Sequence, residues 1–243
     1  TLRDGLKFSD GTDVTAEDVK FSIERHLEVG GSLPIEADVK SVEAVDEKTV
    51  EITLGTAYTP FLSELANFSN GIIPKDFGGK TEEEFFKNPV GTGPFAVSEW
   101  DPSGDLTFVK NEYYWNGEVP YDNVEIDFLS EDNKALALQN GDINLVENVT
   151  STSDLDTLKK DDNFNVSIGQ GVRTGFAYIN EKGILGDDTL RQAVQMALDH
   201  KTMCEVTVGG LYTEGISVLP SSLAYGYDNL KNPYTYNVDN EIG

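Results

Sequence analysis

Residues 2–25 read LRDGLKFSDGTDVTAEDVKFSIER and carry the clearest local structural signals in the chain. Apolar and polar residues alternate up to Phe8, which predicts a half-buried strand, and a turn follows around Gly11. Thr15 and Asp18 have the spacing of a capping box, so a helix is predicted to begin there. The helix then carries one apolar face and ends at a glycine pair: Val19, Ile23 and Leu27, then Gly30 and Gly31. The stretch therefore predicts a strand, a turn and a helix in immediate succession.

The rest of the chain alternates strand-like and helix-like segments, which is typical of an α/β fold with mixed β-sheets. Short apolar runs bounded by turn residues predict one strand ending near Trp100 and others at 39–45, 49–54, 106–110, 124–129, 143–146, 166–168 and 175–180. Capping residues and apolar periodicity predict helices after Pro60 and Ser130, around Leu155, and at 190–198 and 201–208. The pattern breaks most clearly at EKGILGDD, residues 181–188, which is the best candidate boundary between domains.

The composition is strongly acidic, with 43 Asp and Glu residues against 18 Lys and Arg residues and a formal net charge of −25. This charge repels nucleic-acid phosphates, so we expect no nucleic-acid partner, and it keeps a protein soluble. Cys204 is the one cysteine, which excludes an internal disulfide and predicts a core thiol on an apolar helix. His26 and His200 lie far apart in the sequence and do not predict a zinc site. No apolar run is long enough to span a bilayer.

The sequence contains no recognisable catalytic motif. There is no Gly-x-Ser-x-Gly elbow, and Gly91-x-Gly93 leads into Pro94 and a strand instead of a phosphate-binding helix. The run that begins at Asp161 has calcium-loop spacing but lacks the required glycine and the final glutamate. Among 43 acids, carboxylate pairs at glycosidase spacing arise by chance, so an acid-pair hydrolase is a distant alternative. We therefore expect a protein that is not an enzyme, with no catalytic residue, metal or cofactor.

Five segments in fixed order carry a resemblance to a known family. They are residues 2–25, NPVGTGPF at 88–95, NEYYWNG at 111–117, ALALQNGDINLV at 135–146 and LRQAVQMALDHKT at 190–202, the last together with YGYDN at 225–229 and YTYN at 234–237. In this order they resemble the family 5 extracellular solute-binding proteins of ABC importers, which handle oligopeptides, dipeptides and nickel chelates. The resemblance runs along nearly the whole chain.

The resemblance implies a two-lobed α/β fold of the periplasmic-binding-protein type II, in which hinge motion closes the lobes on a ligand. It implies an extracytoplasmic protein, in the periplasm or at the outer face of the membrane and lipid-anchored as a lipoprotein, that delivers its ligand to an ABC permease. Family members are longer, so the chain is interpreted as an internal fragment with most of one lobe. Residues 1–185 would form the first lobe, incomplete at its N-terminus. Residues 186–243 would hold the hinge crossing and a truncated start of the second lobe.

The expected ligand site lies on loops that face the other lobe. The first loop offers side-chain amides to a peptide backbone and an aromatic ring for stacking. It consists of Asn67, Phe68, Ser69 and Asn70. The alternative interpretation is a plain surface loop. The resemblance implies that a second loop lies near the hinge and holds peptide main chain: Asn148, Val149, Thr150 and Ser151. Arg173 lies beside a hydrophobic strand and is expected to meet a carboxylate, from the ligand or, as we favour, from a structural Asp.

The expected ligand is a peptide or a peptide-like molecule, with a nickel chelate as the alternative. Nickel-chelate binders of the well-known type carry basic and Trp side chains before the first hairpin, where this chain reads EVGGSLPIEA at 28–37. They carry an Arg in the loop after the Phe-Leu helix, where this chain reads ANFSNGII at 66–73. Neither stretch contains Arg, Lys or Trp, whereas LGTAYTPFLSELA, at 54–66, and NEKGILGDDTLRQAV, at 180–194, resemble the nickel branch. A receptor-signalling module built on the same fold is a further alternative. The intact protein is expected to be a monomer, and artificial association of the fragment is open.

Overall fold

The structure is a computed structural model that describes residues 1–31, 33–101, 104–223, 229–231 and 234–237. The chain divides into two compact packing units, Thr1–Phe128 and Leu129–Gly243, and each is treated by itself. The helices and strands of the first unit are α1 Ala16–Val29, β1 Val39–Ala44, β2 Val50–Leu54, α2 Phe61–Leu65, α3 Glu82–Lys87, β3 Phe95–Trp100, β4 Leu106–Lys110 and β5 Asn123–Ile126. Those of the second are α4 Glu131–Asn140, α5 Thr152–Lys159, α6 Asp188–Ala197 and α7 His200–Thr207.

The opening stretch forms the predicted helix but not the predicted strand. A turn at Asp4–Gly5 interrupts the alternation, and Lys7 makes only an isolated antiparallel bridge to Asp13. The strand prediction for residues 2–8 is therefore wrong. The capping box is confirmed, since Asp18 Oδ2 accepts hydrogen bonds from the Thr15 backbone N–H and hydroxyl, both at 2.7 Å.

The buried face of α1 differs from the predicted one. Ile23 is buried, but Leu27 is 39% exposed. The remaining buried positions are mostly small or polar: Ala16, Asp18, Ser22 and His26. Apolar periodicity therefore located the helix correctly and misplaced its contact face by part of a turn.

The sheets of the first unit are small and antiparallel. β1 pairs with β2 in a hairpin that places Val42 opposite Ile52. β3, β4 and β5 form a three-stranded sheet in sequence order. The α/β class is confirmed, and every ladder among the described residues is antiparallel, so these residues do not show the expected mixture of strand directions.

An aromatic cluster closes the core beside α1. Phe85 on α3 is 1% exposed, and its ring lies 5.7 Å from that of Phe77 and 5.2 Å from that of Phe86. The ring of Phe21 on α1 meets Phe77 edge-on at 5.4 Å. Phe77 has a positive φ of 56°, a conformation that costs a side-chain-bearing residue energy, and the surrounding rings stabilise it. Within the first unit, Phe77 thereby connects α1 to α3.

The second unit contains the predicted helices and lacks the predicted strands. Gly141 ends α4 in the left-handed conformation, with φ 79°, and Leu155 and Leu158 on α5 are buried. The segments 143–146, 166–168 and 175–180 form no strand, because they have no hydrogen-bonded neighbour among the described residues. Those three strand predictions are wrong for this structure.

Three further sequence expectations concern the second unit. Cys204 is half-buried and not a core thiol. The boundary between two lobes at 185/186 stays a prediction, because packing units defined by contacts need not coincide with lobes. None of the helices in the described ranges has the length and apolar character needed to cross a membrane.

Candidate functional site

The first candidate segment forms a single 3₁₀ turn in the first unit. The turn spans Phe68–Asn70, and the Asn70 backbone N–H donates to the Asn67 carbonyl at 3.0 Å. Phe68 is 86% exposed, whereas its three neighbours in the segment are half-buried. A ring held so far into solvent on a hydrogen-bonded turn has the geometry needed for stacking on a ligand. Its stacking role stays a prediction.

Glu64 at the end of α2 anchors this turn. Its carbonyl accepts hydrogen bonds from the Asn70 side-chain amide at 2.7 Å and from the Asn67 backbone N–H at 3.0 Å. Its carboxylate accepts from the Tyr58 hydroxyl at 2.9 Å and from the Ala37 backbone N–H at 3.3 Å. The bond to Glu64 raises the pKa of Tyr58, because deprotonation would remove the donated proton. The sequence contained no signal for this role of Glu64.

The Asn70 side chain is therefore engaged within the protein. Its amide nitrogen is occupied by Glu64, and its Oδ1 is buried without a hydrogen-bond partner among the described residues. The buried Oδ1 is inaccessible to a ligand in this conformation, and one of the two N–H donors of the amide nitrogen is already used. Of the four residues in the segment, Asn67 and Phe68 have the side chains best placed to meet a ligand, because the Ser69 hydroxyl donates to the Leu33 carbonyl at 3.2 Å.

The second candidate segment leads into α5 in the second unit. Asn148 has a left-handed φ of 58°, which Asn adopts more readily than most residues. Ser151 is the N-cap of α5, and its hydroxyl accepts from the Asp154 backbone N–H at 3.3 Å. Asn148 and Thr150 are exposed, and Val149 is half-buried. Ser151 thus has a structural role, and the exposed Asn148 and Thr150 present polar groups to solvent.

Arg173 is exposed, in a segment without regular secondary structure. It forms no ion pair with any described carboxylate, so the structural Asp partner that we favoured is not found in the described part of the chain. The premise of a buried arginine beside a strand does not hold, because no strand forms there. A ligand carboxylate remains as a proposal for its partner.

Two other groups of side chains in the first unit have chemically reactive or charged partners close together: an acidic cluster and an arginine–tryptophan pair. Asp105, Glu125 and Asp127 place one carboxylate oxygen each within 4.8 Å of the others, and all three residues are exposed. In the aromatic turn at 111–117, the Arg3 guanidinium lies 3.7 Å from the centre of the Trp115 ring. The guanidinium therefore forms a cation–π contact with a ring that is 41% exposed.

Asn111 explains why two of the family motifs occur together. Its backbone N–H donates to the Pro94 carbonyl and its side-chain amide to the Gly93 carbonyl, at 2.9 and 2.7 Å. Asn111 is buried, so these bonds are shielded from water. The NEYYWNG turn at 111–117 is thereby fixed against the GTGPF loop at 91–95. Both motifs belong to the scaffold of the first unit.

The comparison with known families assigns the chain. The family model described as "Bacterial extracellular solute-binding proteins, family 5 Middle" matches residues 1–240. The chain therefore belongs to the family 5 bacterial extracellular solute-binding proteins.

Individual relatives agree with this assignment. The probable D,D-dipeptide-binding periplasmic protein DdpA of Escherichia coli K12 is 32% identical over 97% of this chain and 47% of DdpA. The periplasmic binding protein DppA of Helicobacter pylori, solved with the peptide STSA, has a TM-score of 0.81 and 25% identity over 97% of this chain and 51% of that one. NikZ of Campylobacter jejuni, solved with Ni(L-His), has a TM-score of 0.74 and 25% identity over 97% and 48%.

These matches confirm the expected periplasmic-binding-protein fold. The relatives are named for binding and not for catalysis. The chain spans about half the length of the relatives it matches.

Proposed function

We propose that the chain is the ligand-capturing part of an ABC importer's solute-binding protein and that its ligand is a peptide or a peptide-like molecule. The observation that carries the proposal is the family match over residues 1–240. The peptide is supported by the 32% identity to a probable D,D-dipeptide-binding protein and by the fold shared with DppA in complex with STSA. Delivery to a membrane permease and a lipid anchor outside the cytoplasm are parts of the same proposal.

The half-buried Asn67 in the first unit and the exposed polar side chains in the second unit each suit a peptide main chain. Asn67, Asn148 and Thr150 offer neutral donors and acceptors, which match the alternating N–H and C=O groups of a peptide. Phe68 supplies a ring that can cover an apolar side chain or stack on an aromatic one. Arg173 supplies a cation for a terminal carboxylate. Each group binds and none is placed to break a bond.

A nickel chelate is the second candidate. It is supported by the fold shared with NikZ in complex with Ni(L-His), at 25% identity. Against it, residues 66–73, which include the first candidate segment, contain neither Arg nor Lys. This stretch therefore offers no cation to a chelate that bears carboxylates. The two ligand classes therefore differ in the charge that this segment would need.

Calorimetric titration tests the proposal. The titrants are defined di-, tri- and nonapeptides and Ni(II)–histidine, and the samples are the 243-residue chain and a longer polypeptide of the relatives' length that contains it. We expect peptide binding in the longer polypeptide and weaker binding in the chain alone, because a cleft with fewer contacts binds more weakly. Binding of Ni(II)–histidine without peptide binding would favour the second candidate. No heat with any titrant would contradict both.

The role of Phe68 has its own test. Phe68→Ala is expected to weaken peptide binding about tenfold, the loss of one aromatic contact of about 1.4 kcal/mol. The matched control is Leu62→Ala, a strongly exposed apolar residue on α2 outside the candidate segment. Equal affinities for the wild type and Phe68→Ala would remove this turn from the site.

A further inference from the structure

Helix α1 carries a buried polar stripe that apolar periodicity does not predict. Asp18, Ser22 and His26 follow one another at four-residue spacing, so they lie along one face of the helix. They are 8%, 7% and 8% exposed. Buried polar side chains are costly unless they are hydrogen-bonded, so the stripe must have partners.

Two of the three residues bind the chain that follows the candidate turn. Asp18 Oδ1 accepts from the Lys75 backbone N–H at 2.7 Å, and its other oxygen completes the capping box. The Ser22 hydroxyl accepts from the Ile73 backbone N–H at 2.9 Å and lies 2.7 Å from the Asp18 carbonyl, to which it donates. The main chain at residues 73–75 is therefore attached to α1 at two successive turns.

The third residue reaches the candidate turn through a shared acceptor. His26 Nε2 lies 3.1 Å from the Leu33 carbonyl oxygen, and the Ser69 hydroxyl donates to the same oxygen at 3.2 Å. A carbonyl oxygen has two lone pairs and can accept both bonds at once. For His26 to donate, Nε2 must carry the proton, in the neutral tautomer or in the imidazolium.

The contacts occur in reverse order along the two segments. Asp18 meets residue 75, Ser22 meets residue 73, and His26 connects through Leu33 to residue 69. The segment 69–75 thus runs antiparallel to α1 and is fixed along its length. The end of the stripe nearest the exposed ring of Phe68 is His26.

We propose that this stripe, Asp18–Ser22–His26, is the positioning device of the ligand-binding turn at 67–70, with His26 as the positioning residue that fixes the turn through the Leu33 carbonyl. The proposal rests on the proposed function for the part that concerns ligand. A turn that is held in its binding conformation before the ligand arrives loses less conformational entropy on binding. His26 touches no ligand in this account and acts through Leu33 and Ser69.

Amide hydrogen exchange on the full 243-residue chain tests the positioning role without any ligand. The reporter is the Asn70 amide, which is hydrogen-bonded to the Asn67 carbonyl, and the reference is the β1–β2 ladder. His26→Leu removes the donor and keeps apolar volume, so we expect exchange at Asn70 to rise about fivefold with the ladder unchanged. His26→Gln restores an N–H donor at similar reach and is expected to return exchange to within about twofold of the wild type.

The matched control is Glu28→Leu, which places the same new residue on the exposed side of the same helix end. It should leave the Asn70 amide unchanged. Unchanged exchange in His26→Leu, no rescue by His26→Gln, or an equal rise in the β1–β2 ladder would each overturn the proposal, the last because it would mean a general loss of stability.

The ligand part is tested separately. Calorimetry with the defined peptides, in the polypeptide that binds them, should show weaker binding for His26→Leu and recovery for His26→Gln. If Phe68→Ala does not affect binding, the function proposed for the turn fails while the exchange result still decides its positioning. If Phe68→Ala weakens binding and His26→Leu does not, the positioning proposal fails alone.

Discussion

The two packing units differ in which of their predicted elements formed. In the first unit, the strands predicted at 39–45 and 49–54 pair as β1 and β2. In the second unit, all four helices α4–α7 formed, but the strands predicted at 166–168 and 175–180 did not. A helix satisfies its hydrogen bonds within its own segment, whereas a strand needs a neighbour. A helix can therefore be predicted from local sequence, whereas a strand forms only where the fold supplies a neighbouring strand.

The two units also differ in how many of their hydrophobic residues are buried. Of the eleven buried hydrophobic residues among those described, eight lie in the first unit and three in the second: Ala135, Leu155 and Leu158. In the second unit Tyr178 is 90% exposed, although its segment has the alternation of a half-buried strand. Apolar side chains stabilise a fold only when they leave water, so the described contacts of the second unit contribute less stability.

The largest expected effect tests this difference in the cores. Phe85→Ala should lower the free energy of unfolding by about 3–5 kcal/mol, because it removes a fully buried ring from the aromatic cluster. Phe176→Ala, the same change at an exposed site in the second unit, should change it by less than about 0.5 kcal/mol. Urea denaturation followed by circular dichroism measures both. Similar losses in the two variants would break the comparison.

A smaller effect should be common to both units, because helix caps are local. Thr81 caps α3 and Asp199 caps α7, each accepting a backbone N–H, from Glu84 at 3.2 Å and from Thr202 at 3.0 Å. Thr81→Ala and Asp199→Ala should each cost about 1 kcal/mol in thermal or urea denaturation. Ser63→Ala, at an exposed helical position, is the control. A loss of stability in only one of the two cap variants would contradict the view that local sequence determines these helices.

The smallest expected effect is a loss of folding stability at low pH. Hydrogen bonds from Thr202 lower the pKa of Asp199, and those from Thr81 lower the pKa of Glu84, since both carboxylates are stabilised in the charged form. Stability from a lowered pKa is present above the ordinary values, 3.8 and 4.5, and is lost as the pH falls through the folded-state pKa.

Carboxyl NMR titration checks the direction of both shifts. Asp199→Asn keeps a cap acceptor and cannot titrate, so α7 in this variant should lose less stability in acid than in the wild type. A midpoint for Asp199 at or above 3.8 would contradict the assigned cause.

The candidate site was only partly predictable. The sequence located the two polar loops, and the structure places Phe68 and Asn148 in exposed positions. The sequence did not indicate that the Asn70 side chain hydrogen-bonds to Glu64 or that the Ser151 hydroxyl caps α5. Asn and Ser bind main chain and ligands with the same groups, so residue type alone cannot separate these roles. The carboxylate expected for Arg173 depended on a strand that does not form.

Features that form within one or two turns of chain could be read from the sequence alone. The Thr15–Asp18 capping box and the glycine that ends α4 belong to this class. The polar face of α1 could not be read from the sequence, because its hydrogen bonds join residues far apart along the chain, as between Ser22 and Ile73. A local hydrogen bond needs only a favoured backbone conformation. A long-range bond also needs the loop between its partners to close, and the packing of the whole unit supplies the free energy for that closure.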